Sequence, residues 1–65
     1  MNIKDVIDKA GGPRLVADRL GVRRQAVYQW MTKGIPPERV LAVAALAQVR
    51  PSDVDPVLYP PGLVA

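Results

Sequence analysis

Sixty-five residues, 49% of them hydrophobic, carry a net charge of +3 and include neither cysteine nor histidine. A chain of this size makes one domain with a small core, and it is too apolar for a disordered tail. The missing Cys and His exclude disulfides, thiol nucleophiles, imidazole bases and the usual zinc ligands.

No apolar run approaches the roughly 18 residues that span a bilayer, and the N-terminal stretch is mixed in charge rather than signal-like. The expected location is therefore the cytoplasm, with no membrane partner. Asn2 is a good helix cap, and Asp5 three residues later resembles a capping box. Ile3, Val6, Ile7 and Ala10 then recur at helical spacing, which predicts a first helix over about 2–10. Gly11-Gly12 stops it, and Pro13 suits the first turn of a second helix over 13–20. Leu15, Val16 and Leu20 are expected on its apolar face, with Ala17 small enough to admit a neighbouring helix.

Gly21 makes the next bend and Val22 enters the core. A third helix over 23–32 turns Ala26, Val27 and Trp30 inward and Arg24, Gln25, Tyr28 and Gln29 outward. Gly34 caps it, Ile35 plugs the core, and Pro37 opens a fourth helix with Glu38 at its positive end. Residues 37–48 are apolar nearly all the way round. Val40, Val43, Ala44 and Ala47 line one face, and Leu41, Ala45 and Gln48 another. A small domain covers only one side of such a helix, so the second face invites another subunit; the competing reading is a core helix wholly internal to the chain. In the proline-rich tail, Ser52 is expected to cap a short turn over 53–58. Val54, Leu58 and Tyr59 fold back on the fourth helix or on a partner. Residues 1–59 form the domain, and 60–65 a flexible tail.

Charge is unevenly placed. Residues 1–33 hold seven basic side chains against three acidic, a net +4, whereas residues 34–65 carry −1. The basic half contains the outward face of the third helix. Arg24 has the geometry for guanine O6 and N7, and Gln25 or Gln29 for adenine N6 and N7. Tyr28 suits a thymine methyl or a phosphate; otherwise it closes the edge of the core. Arg14, Arg23, Thr32 and Lys33 are phosphate candidates, against the reading that they are simply solvated. These side chains on the second of two closely packed helices point to a helix-turn-helix that lies in the major groove.

The spacing of Ala17, Gly21 and Val27, the string GVRRQAVYQW and the following GIPPERV resemble the Cro-type phage repressors. The likeness is to the small all-helical members and the YdaS-like regulators of prophage regions, and it covers roughly residues 2–59. It implies a lambda-repressor-like all-α fold of four to five helices and a phage- or prophage-encoded homodimer. That dimer would repress transcription from a short two-fold-related operator in double-stranded DNA. The base-reading positions carried over are Arg24, Gln25, Tyr28 and Gln29. Three residues depart from the family pattern. Arg23 stands where Ser or Thr usually caps the reading helix, Tyr28 replaces what is often Ser, and Pro13 replaces a residue, often Gln, that grips phosphate.

An alternative reading is a protein-interaction or antitoxin-like module that uses helix 37–48 and the tail. The expected dimer surface is Leu41, Ala45, Gln48, Val54, Leu58 and Tyr59. No carboxylate pair stands out, Ser52 lacks an activating base, and there is no phosphate-binding glycine loop. Neither an enzymatic activity nor a cofactor, metal or small-molecule substrate is expected.

Overall fold

The computed structural model describes residues 2–62, and the following elements lie within them. Asn2 is extended, and its side-chain oxygen accepts from the Asp5 N–H at 2.9 Å, which starts α1 at Ile3–Lys9. Val6 and Ile7 of α1 are fully buried and Ala10 just beyond it nearly so. Gly11 and Gly12 leave the helix at φ +111° and +97°, a region that side chains with a Cβ avoid. Gly11 is also constrained by packing, because a Cβ there would strike the Leu15 side chain.

Pro13 opens α2, Pro13–Leu20, without loss of a backbone donor. Val16 and Ala17 are its buried residues and Leu20 packs partly against the core. Leu15, expected on the apolar face, is 39% exposed and lies over Gly11 instead. One helix of two turns presents only a narrow stripe inward, and Val16 and Ala17 fill it. Gly21 ends α2 in the left-handed conformation, and the Gly21 and Val22 N–H groups both return to the Ala17 carbonyl.

Helix α3 spans Arg24–Lys33, starting and ending one residue later than expected, and Gly34 terminates it at φ +108°. Helix α4, Pro37–Ala47, carries Val40, Val43, Ala44 and Ala47 on its buried face, as the periodicity implies. Gln48 is its cap rather than its last residue. It sits at φ +56°, ψ +44°, and Val49 returns its N–H to the Ala44 carbonyl at 3.0 Å. The chain thus makes a glycine-type helix ending with a glutamine.

The short terminal helix is displaced from its expected place at 53–58. Helix α5 spans Pro51–Val54, so Ser52 lies inside it rather than capping it. Pro51 supplies a preset first-turn φ, and the Asp53 carboxylate accepts from the Arg50 N–H at 3.1 Å. Those two local effects outweigh the weaker cap that Ser52 offers. Asp55 then accepts from the N–H groups of Val57 and Leu58 at 3.1 and 3.0 Å, which closes a tight turn. The tail expected over 60–65 falls partly on 63–65, which lie outside the described residues.

Among the described residues the architecture is all-α, with five helices and no strand. Helices α2 and α3 pack most closely together, α1 lies against α4, and α5 packs on α4 as well. The core is valine-rich, with Val6, Val16, Val27, Val40 and Val43 fully buried beside Ile7. Trp30 and Ile35 complete it at 7% and 8% exposure. No helix among the described residues is long and apolar enough to cross a membrane.

Candidate nucleic-acid interface

The face of interest follows from how α3 is anchored. Ala17 is small and buried on α2, so α3 approaches closely enough to bury Val27 completely. Behind the helix, Ala26 and Met31 are half-buried and Trp30 is in the core. The other six residues of α3, Arg24, Gln25, Tyr28, Gln29, Thr32 and Lys33, are all exposed. At about 100° per residue these six occupy one half of the helix circumference, and the four inward residues the other. The division is complete, with no polar residue turned in and no aliphatic turned out.

This outward row is about 15 Å long by helix rise, and the major groove is about 12 Å wide. Tyr28 is 55% exposed at the middle of the row, so its ring stands clear of the core edge. Trp30, two residues on, is turned inward. The side-chain hydrogen bonds of the described residues engage Asn2, Asp53 and Asp55, and none ties down a side chain of α3.

Electrostatics favour an anion here. Between Asp18 and Glu38 the sequence contains no carboxylate, but it holds Arg19, Arg23, Arg24 and Lys33. Arg23 is the extended cap of α3 and offers no side-chain acceptor to it. The Arg24 and Gln25 N–H groups, at the positive end of the helix dipole, therefore have no side-chain cap. Arg14, in the first turn of α2, is exposed as well. Arg19, absent from the candidates above, is exposed in the last turn of α2, one residue from the bend. The carboxylate-free run is the signal that singles it out.

The residues expected at a subunit contact separate into two groups. Leu41, at 57%, Ala45, Gln48 and Leu58, at 45%, reach the surface. Val54 is consumed by the chain's own core at 7% exposure, and Tyr59 is half-buried against it. Val54 has no free side chain because α5 packs on α4, whereas Tyr59 keeps part of its surface exposed. Val57, which the periodicity does not single out, is the most exposed large hydrophobic residue among the described residues, at 89%.

Comparisons with curated proteins and with solved structures found no match. A family model, described as bacterial toxin YdaS, matches residues 3–59, which takes in all five helices. The chain belongs to this small, prophage-associated bacterial family.

Proposed function

We propose that the protein is a sequence-specific double-stranded DNA-binding repressor of the Cro type. In this reading α2 and α3 form a helix-turn-helix, and α3 enters the major groove. Arg24, Gln25, Tyr28 and Gln29 read base edges, while Arg14, Arg23, Thr32 and Lys33 meet phosphates. Two copies, associated through exposed apolar side chains of the C-terminal half, would place their α3 helices about 34–36 Å apart on a pseudo-palindromic operator. The observation that carries the reading is the division of α3. Its polar half is free, carboxylate-free and held rigid from behind by Val27 and Trp30.

Selection from random duplex DNA tests it. The expected result is a short two-fold-related consensus containing guanine and adenine at fixed positions. Recovery of no consensus, with binding indifferent to sequence, would remove the repressor reading.

A second reading has one specific support, the word toxin in the description of the family. Here the helical scaffold binds a host or partner protein through α4 and the tail. Growth inhibition on expression separates the two. If inhibition is abolished by Arg24→Ala with Gln29→Ala, it acts through DNA; if only Leu41→Asp abolishes it, a protein partner is responsible.

A further inference from the structure

Tyr28 is the one large apolar side chain on the outward row of α3. Its companions there, Arg24, Gln25, Gln29, Thr32 and Lys33, are polar or charged. The ring keeps more than half of its surface in water, at 55% exposure. The backbone beneath it is anchored, because Val27 is fully buried and Trp30 is only 7% exposed. Tyr28 also stands midway between Arg23 and Lys33, five residues from each, or about 7.5 Å by helix rise. Basic side chains at the two ends of the helix suit the phosphate walls of a groove about 12 Å wide, and the middle of the helix then faces the floor.

On that floor a base pair offers one apolar substituent, the C5-methyl of thymine; the other groups are hydrogen-bond donors and acceptors. A 5-methylcytosine carries the same methyl at the same ring position, and cytosine and uracil lack it. We propose that Tyr28 recognises the C5-methyl group of a pyrimidine, thymine or 5-methylcytosine, at one position of each half-site. The inference rests on the DNA-binding reading above and adds to it the group that Tyr28 takes. Contact between ring and methyl is a matter of dispersion and apolar burial, so the phenolic hydroxyl has no part in it. Occupancy of the operator therefore responds to the methylation of a single pyrimidine through one side chain, while Arg24, Gln25 and Gln29 read purines independently.

Selection from random duplex DNA tests it when run on three libraries. One holds ordinary bases, one has deoxyuridine in place of thymidine, and one has 5-methyldeoxycytidine in place of deoxycytidine. The expected consensus contains one pyrimidine position per half-site whose preference depends on the methyl, beside guanine and adenine positions that persist in all three libraries. Loss of that position in the deoxyuridine library names thymine as the source of the methyl. Its gain in the methylcytosine library names 5-methylcytosine, and either result supports the contact. Anisotropy titrations of the selected duplex should show binding weakened about fourfold when the methyl is removed from one half-site, and about 15-fold when it is removed from both. Tyr28→Ala should abolish this difference and Tyr28→Phe should keep it. Tyr28 is exposed, so both variants are expected to fold, and circular dichroism checks that they do.

A consensus identical in all three libraries overturns the proposal and leaves the repressor reading standing. So does a Tyr28→Phe protein that loses the difference as fully as Tyr28→Ala, because the hydroxyl would then be the binding group. A difference that persists in Tyr28→Ala assigns the methyl to another residue and overturns it as well. Recovery of no consensus from any library removes the repressor reading and this inference with it.

Discussion

If α3 reads DNA as proposed, replacing Arg24 with alanine separates base reading from charge. Arg24 is the first residue of α3 and is exposed. Its truncation should therefore change folding stability by no more than about 0.5 kcal/mol. On the operator, loss of a bidentate guanine contact costs about 1–3 kcal/mol in each subunit. Two subunits make that about 2–6 kcal/mol, or roughly 30-fold to 10⁴-fold in affinity for the full site. Random duplex offers no matching guanine, so binding there should weaken far less, and the ratio of specific to non-specific affinity should collapse. Arg23→Ala is the counterpart. As a phosphate contact it should weaken both kinds of binding alike and flatten the salt dependence by about 0.9 per contact, near 2 for a dimer. Fluorescence anisotropy titrations of selected and scrambled duplexes, from roughly 50 to 200 mM salt, measure both quantities. A folded Arg24→Ala protein that retains the parent's discrimination would refute the assignment of α3 as the reading helix.

Three predictions concern the scaffold. Gln48→Gly should stabilise the protein by about 0.5–1 kcal/mol, because glycine relieves a left-handed conformation that costs other residues about 1–2 kcal/mol, and it returns part of that as unfolded-chain entropy. Thermal denaturation should show a rise of about 2–8 °C. Trp30→Ala should cost about 3–5 kcal/mol, comparable with the whole stability of roughly 3–10 kcal/mol expected for a domain of this size. Circular dichroism should find the variant unfolded or nearly so, and a normal melting curve would show that Trp30 is not a core residue. Gly11→Ala should destabilise by about 1–3 kcal/mol or more, since backbone strain and collision with Leu15 combine. Gly12→Ala, where φ is also positive but nothing lies within 4 Å, should lose less in urea titration.

The residues that local chemistry governs were legible without a fold. Asn2, Pro13, Gly21, Gly34 and Pro37 each act within one turn of their own position, and α1, α2, α3 and α4 begin or end beside them. The split of α3 into a polar and an apolar half is likewise a matter of spacing along one helix, so the candidate reading row could be named in advance. Where competing local signals are close in strength, periodicity does not rank them: Ser52 is a plausible cap, but Pro51 and the Asp53 carboxylate together start α5 earlier.

Leucines and valines look alike in a sequence whether they end in a core or in water. Val54 and Leu58 were expected to share one surface, but α5 docks on α4 and takes Val54 into the core while Leu58 stays outside. Leu15 is left over Gly11 because the narrow inward stripe of α2 is already filled. Burial is a property of several elements meeting, and a periodicity specifies only which side chains share a face. The ends of these helices, and the polar row on α3, were thus decided along the chain itself. The docking of α5 on α4 and the burial of Val54 were decided by packing between separate segments. No pattern along one segment encodes what another segment will cover.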